Sequence, residues 1–361
     1  MSLMTGGARW SARSDSRNSD PPASICIFSL FHLTLHNHLP TLMKRRTTLM
    51  AAALAALPFV AVAQQSSFPS RPVNLIVPNA PGGAIDILAR LLEKGLAETW
   101  KQPVVVQYKP GAGTVLGTDF VAKSAPDGHT IGMVITGHMI NPSLRKQMPF
   151  DTLKDLSGVS LMANSPIVLT AHSKLPASNL RELIALAKGG KLSYASPGSG
   201  SSMHLGAELL KTSAAMDILH TPYRGAGGAY PDVMAGRVDL LVDPLFSSLP
   251  HIKSGGLKPI AIMSSSRSPI APDIPTVAET LPGFNVESVF GTVVPASTPR
   301  AVVEKISADI NRVLQSPEVR RRMAEIGLTP MGTTPDQFDT YIRNEIPKWA
   351  KVVQASGATA D

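Results

Sequence analysis

The sequence predicts an α/β protein built from two similar units, and three observations carry that prediction. From Pro72 onward, short β-rich runs alternate with helix-length amphipathic stretches, the pattern of a largely parallel sheet flanked by helices. The alternation pauses and restarts after about Ser160, and a helical tail with proline-opened segments follows it. At 361 residues, 43% hydrophobic and 17% charged, the chain is long enough for two domains, each with its own core.

The elements follow in order. Val73 to Val77 reads as a strand and Ala84 to Thr99 as a helix, with Ile85, Leu88, Ala89, Leu92 and Leu96 on one face. Val104 to Gln107 is a second strand. Gly113 to Ser124 reads as a helix closed by the turn Pro126-Asp127-Gly128, and Thr130 to Thr136 as a third strand. After the pause come strand Ile167 to Thr170, helix Asn179 to Lys188, strand Leu192 to Ala195, helix Ser202 to Ser213 and strand Ile218 to His220. A helix near Ala229 to Ala235 and strands Val238 to Val242 and Lys258 to Met263 complete the second unit. The tail helices are Pro299 to Gln315, Pro317 to Ile326 and Pro335 to Ala355. Crossings near Leu161 and Val286 place a cleft between two lobes, where strand ends and helix starts converge.

The first 63 residues stand apart. Lys44, Arg45 and Arg46 precede an apolar run from about Leu49 to Val62 and the small-residue site Ala61-Val62-Ala63. A basic start, a short apolar stretch and an A-x-A site form a secretory signal cleaved after Ala63. The run is shorter than the ~20 apolar residues that span a bilayer. Residues 43–63 are therefore read as the signal, and residues 1–42 as an upstream extension that precedes translation from Met43. The pair Arg45-Arg46 leaves the general and twin-arginine export routes both open. The only cysteine, Cys26, lies before the cut, so neither a lipid anchor nor a disulfide is expected in the exported part. Six of the 34 basic and two of the 26 acidic residues are also removed, which lowers the net charge from +8 to +4. With aromatics at only 5%, that charge is no nucleic-acid footprint.

Two stretches have the form of anion seats. In Val77-Pro78-Asn79-Ala80-Pro81-Gly82-Gly83-Ala84-Ile85-Asp86 a strand passes through a glycine elbow into a helix. Gly82 and Gly83 let a ligand approach the main chain, and the first turn of the helix offers unpaired N–H groups at a positive dipole end. The same segment also reads as a plain turn, with Asp86 as a first-turn acid favoured by the dipole. Tyr194 to His204 repeats the arrangement in the second unit, with Ser196, Ser199, Ser201 and Ser202 as hydroxyl donors. One such loop per unit favours an anion cleft over two unrelated turns. Arg224, in Pro222-Tyr223-Arg224-Gly225-Ala226-Gly227-Gly228, is suited to pairing a carboxylate or to sitting solvated on the surface.

Catalytic signatures are poor. Pro110 to Gly117 only superficially matches a dinucleotide fingerprint, because its spacing is G-x-G-x-x-x-G and no acid closes the next strand. There is no G-x-S-x-G, C-x-x-C or H-E-x-x-H, and the six histidines after Ala63 lack metal-ligand spacing. No catalytic residue, metal or cofactor is expected. An exported hydrolase using Ser199 or Ser201 remains the enzymatic alternative.

Many segments in order resemble a Bug-type extracytoplasmic solute receptor, the binding component of tripartite tricarboxylate transporters. They include VPNAPGGAIDILAR at Val77 to Arg90, KPGAG at Lys109 to Gly113, PDG at Pro126 to Gly128 and NPSL at Asn141 to Leu144. PYRGAG at Pro222 to Gly227, PTVAE at Pro275 to Glu279 and KWAKVV at Lys348 to Val353 continue the series. The resemblance spans residues 68 to 357 and implies a two-lobed type II periplasmic-binding-protein fold. Lobe 1 is expected to comprise 64–165 plus 289–361, and lobe 2 to comprise 166–288. It implies a periplasmic monomer that closes on a small carboxylate through main-chain amides and waters, then delivers it to membrane permease subunits or, alternatively, reports it to a sensor kinase. A dicarboxylate, an amino acid or a nicotinate-like acid would suit such a site. Carried over, the binding residues are Ala80, Gly82, Gly83 and Asp86, then Thr136, Gly137 and His138, with Ser196, Ser199, Ser201, Ser202 and Asp243 from lobe 2. The family usually has tyrosine at His129, glycine at Thr114 and tryptophan at Val289 or Phe290.

Overall fold

The computed structural model describes residues 68–223 and 225–360. The upstream extension, the signal peptide and Arg224 fall outside these residues.

Ten strands form one continuous sheet of mixed direction. Strand β1 (Val73–Val77) pairs in parallel with β2 (Val104–Tyr108) and with β3 (Thr130–Ile135). Helix α1 (Ala84–Trp100) connects the first pair, and α2 (Val115–Ala122) leads to β3. The buried face of α1 is Ile85, Leu88, Ala89, Leu92, Leu96 and Trp100, the expected stripe extended by one turn. A helix not foreseen from sequence, α3 (Gly137–Leu144), follows β3 at once.

Strand β4 (Leu156–His172) is the axis of the molecule. The sequence pattern suggests a strand only over Ile167 to Thr170. The full element has 17 residues, almost all buried, so it lacks the in–out alternation that would reveal it. Its first part pairs antiparallel with β9 (Glu287–Pro295) and β10 (Thr329–Pro330), and its second part with β7 (Leu240–Pro244) and β8 (Leu257–Ile262). The exchange falls between Pro166, opposite Glu287, and Ile167, opposite Pro244. Proline has no N–H to give to a ladder, so a change of partner is natural there. Beyond β7 the second half is parallel, with β5 (Leu192–Ser196) between β7 and β6 (Ile218–Pro222). Helices α4 (Leu180–Gly189), α5 (Ser202–Ala214), α6 (Ala226–Met234) and α7 (Leu245–Lys253) complete this half.

Other boundaries differ locally from the sequence reading. The expected helix from Gly113 opens instead as a 3-10 turn, Ala112–Thr114, because Ala112, Gly113 and Thr114 all have positive φ. The expected strand Val238 to Val242 lies two residues later, and α7 and β9 were not anticipated. Strand β9 includes Gly291, whose missing Cβ leaves room for the Phe338 ring. That ring belongs to the last of three tail helices, α8 (Arg300–Gln315), α9 (Pro317–Glu325) and α10 (Pro335–Ser356). Helix α10 packs on α3 of the first half and on α5 of the second. Beyond it, the Ala360 N–H donates to Leu144 O at 3.3 Å, and Lys348 Nζ donates to Asn285 O at 3.0 Å.

Candidate functional site

Between the halves of the sheet lies a cleft of about 760 Å³, within the range of small-molecule sites. Three chain segments build its polar wall.

The first is the β1–α1 elbow, from which Asn79, Ala80, Gly83, Ala84 and Ile85 line the cleft. Gly82 is exposed and has φ +105°, a region that L side chains rarely adopt. Asp86 turns away from the space. Its carboxylate accepts from the Gly82 N–H at 2.9 Å and from the Tyr108 hydroxyl at 2.5 Å, while Arg90 Nη2 donates to Tyr108 Oη at 2.7 Å. The Tyr108 hydrogen bond holds the Asp86 carboxyl below the usual carboxylate range. Asp86 therefore ties down the elbow and leaves the first amides of α1, which have no intrahelical acceptor, to face the cleft.

The second segment is the β5–α5 loop, from which Pro197 to Met203 line the opposite side. Ser201 caps α5, accepting from His204 N at 3.2 Å and donating to Gly198 O at 2.7 Å. A buried aromatic network fixes this loop from below. Gly200 N–H donates to His204 Nδ1 at 3.0 Å, and the His204 ring stacks on His220 with centroids 4.0 Å apart. His220 Nε2 lies 2.7 Å from Ser196 Oγ, and Tyr194 also stacks on His220 while its hydroxyl donates to Glu208 Oε1 at 2.6 Å. Burial, reinforced by His204, pushes His220 down to about 4, and burial lowers His204 as well. Both rings are neutral at neutral pH, and His204 must keep Nδ1 unprotonated to accept from Gly200.

The third segment joins the ends of β3 and β9. Thr136 Oγ1 accepts from Val289 N at 3.0 Å, and Ser202 Oγ sits 3.3 Å from Ser288 Oγ. Ser165 of β4 is buried, and its hydroxyl has no partner among the described residues. Asn79 Oδ1 is likewise unpartnered. Buried polar atoms left unpaired cost about 1–3 kcal/mol each, and both of these belong to residues that line the cleft.

Of the expected binding residues, Ala80, Gly83, Thr136, Gly137, Ser199, Ser201 and Ser202 come together around this space. Gly82, Asp86, His138, Ser196 and Asp243 do not line it. Ser196 is fully buried and engaged with His220. His138 points into the core from α3, where burial pushes it down to about 4. Asp243 is 1% exposed and accepts from Tyr230 Oη at 2.6 Å, with its carboxyl pushed up to about 7 by burial.

Several lining residues were not singled out from the sequence: Gly113, Thr114, Asn141, Arg145, Phe246 and Ser288. The segment set aside as a failed dinucleotide fingerprint is in fact a wall of the cleft, and NPSL supplies Asn141. Thr114 has φ +80°, a conformation that glycine adopts far more readily than threonine. As for hydrolysis, neither Ser199 nor Ser201 has a hydrogen bond to a histidine ring among the described residues, which leaves both without the base that a serine nucleophile needs.

Residues 88–358 match the family described as the tripartite tricarboxylate transporter family receptor. Protein BugT of Bordetella pertussis is 38% identical over 323 residues, covering 88% of this chain and 98% of BugT. A UPF0065 protein from the tcbD-tcbE intergenic region of Pseudomonas sp. (strain P51) is 36% identical, covering 86% and 94%. Among solved structures, periplasmic binding protein BugD is 31% identical with a TM-score of 0.68, covering 81% of this chain and 99% of BugD. An R. palustris protein with adipate is 31% identical with a TM-score of 0.71, covering 81% and 99%. With the cleft and its two glycine-bearing helix starts, these matches place the chain in the Bug-type family of tripartite tricarboxylate transporter receptors, built on the two-lobed periplasmic-binding-protein fold.

Proposed function

We propose that the chain is an exported receptor that captures a small organic acid in this cleft and hands it to the membrane permease of a tripartite transporter. The reading is carried by the two opposed helix starts, α1 and α5, meeting at a cavity where Ser165 Oγ and Asn79 Oδ1 lack partners among the described residues. An anion there receives main-chain amides from both sides, each charge–dipole contact being worth roughly 0.3–1 kcal/mol when exposed and up to ~2 when partly buried. Micromolar binding needs about −8 kcal/mol, so several contacts must act together, with water excluded as the halves close. Two relatives with solved structures are described with adipate and with bound malate, which supports the same ligand class here.

The lobes that close are 64–165 with 289–361, and 166–288. Their boundary is supported by the point at which β4 exchanges partners, between Pro166 and Ile167. Export uses residues 43–63, cut after Ala63, and the mature chain acts as a monomer in the periplasm. No helix among the described residues is long and apolar enough to cross a membrane.

A thermal-shift screen of mono- and dicarboxylates, nicotinate and amino acids tests the function. At least one anion should raise the melting temperature; a flat response across the panel would overturn the cleft reading. Intact mass of protein recovered from the periplasm should begin at Gln64.

A further inference from the structure

We infer that Arg145 is the specificity-determining residue of the cleft and selects a diacid over the monoacid of the same chain length. This deepens the proposed function and rests on that reading.

Arg145 follows α3 and is the only charged side chain among the described residues that line the cleft. It is half-buried, and no carboxylate among the described residues lies within 4.0 Å of its guanidinium. By contrast, Asp86 lies 3.7 Å from Arg90 and is hydrogen-bonded by Tyr108 and Gly82, and Glu208 pairs with Lys211 and accepts from Tyr194. A partly desolvated guanidinium with no counter-ion is costly to keep, and it presents a planar fork suited to a carboxylate.

The surroundings aim that fork. Asn141 Nδ2 donates to Gly113 O at 2.9 Å, and Asn141 Oδ1 takes only a long contact, 3.4 Å, from Arg145 Nε. The terminal Nη groups have no acceptor among the described residues. Gly113 gives them room, since a Cβ there would lie 2.9 Å from Nη2. The helix starts of α1 and α5 are a separate source of anion-holding groups, so the cleft carries two. Much of the remaining wall is apolar, including Ile135, Met203, Phe246 and Phe290. Two anion-holding elements with apolar walls fit a molecule with two acid groups and a hydrocarbon spacer. One carboxylate meets the main-chain amides, and the other pairs with Arg145.

The test compares adipate with hexanoate, alongside diacid–monoacid pairs of four to eight carbons, by calorimetry on wild type and Arg145→Met. Wild type should prefer the diacid. Arg145→Met should weaken diacid binding roughly ten- to hundredfold, the scale of a hydrogen-bonded charge, and leave the monoacid nearly unchanged. Arg145→Lys should restore part of the preference, and all variants without ligand should melt together. Equal losses for both acids, or an unchanged diacid affinity in Arg145→Met, would overturn the assignment while leaving the organic-acid reading intact. If wild type binds no acid in the series, that reading falls and the role of Arg145 falls with it.

Discussion

The two loops that face each other across the cleft are built to similar plans and held by opposite means. The β1–α1 elbow is anchored at the surface, through Asp86, Tyr108 and Arg90, with Gly82 and Gly83 exposed. The β5–α5 loop is anchored from inside, through Ser196, His204, His220, Tyr194 and Glu208. A surface anchor exchanges its hydrogen bonds with water at little net cost, whereas a buried one cannot be broken without leaving polar groups unpaired. The first loop is thus free to tolerate change, and the second is tied to the stability of its half.

The contrast breaks most visibly at its glycines. Gly200 has φ +75°, and a Cβ there would lie 2.6 Å from Leu144 Cδ2. Gly200→Val should cost roughly 2–5 kcal/mol of stability from strain and overpacking. At Gly83 φ is −88°, and an added Cβ meets nothing within 4 Å. Gly83→Val should therefore keep the melting temperature and lose ligand. Equal melting temperatures for the two variants would erase the distinction.

Removing the anchors is the next comparison. His220→Ala leaves Ser196 only its 3.3 Å hydrogen bonds to Gly198 and opens a hole in the stack, at a cost of about 2–3 kcal/mol in urea denaturation. Asp86→Ala removes exposed hydrogen bonds and should cost about 1 kcal/mol or less.

Acidity sharpens the difference further, because His220 of the β5–α5 anchor titrates with its value shifted by burial, as do His138 and Asp243 elsewhere in the core. His138 and His220 have folded-state values near 4, below the ordinary 6.5. The native state therefore binds fewer protons than the unfolded chain, and their contribution is lost as pH falls from about 6.5 to 4. Asp243 acts with the opposite sign. Its carboxyl is raised to about 7, so stability present in acid is lost as pH rises from about 4 through 7. Asp243→Asn should then gain on the order of 2 kcal/mol more over wild type at pH 8 than at pH 4. A gain independent of pH would assign the effect to packing instead.

The smallest expected effect is at Thr114, where a β-branched residue holds φ +80°. Thr114→Gly relieves that strain and should gain about 0.5–1 kcal/mol, read as a rise in melting temperature of a few degrees.

Much of this architecture is legible in the sequence wherever an element is amphipathic. The α1 stripe and the proline-opened tail helices are examples, since one face meets water and the period shows. Strands β4 and β9 are hidden for the opposite reason: they are buried on both faces, and their glycines answer to the distant Phe338 and Asp339. The cleft was half legible. Gly/Ser elbows announce themselves locally, but Arg145 gains its meaning only from the acids that fail to approach it. Asp86 and Ser196 carry the residue types of a binding site and are spent on holding loops. Nothing in the spacing distinguishes a hydroxyl that faces a ligand from one that faces His220.

The last helix carries a mechanical implication. Because α10 rests on α3 and α5 at once, it cannot ride with one half without sliding over the other. Relative motion of the two halves would have to break the hydrogen bond between Lys348 and Asn285 or the one between Ala360 and Leu144. One of these two contacts, Ala360 with Leu144, lies at the cleft itself, and the other, Lys348 with Asn285, involves residues that do not line it.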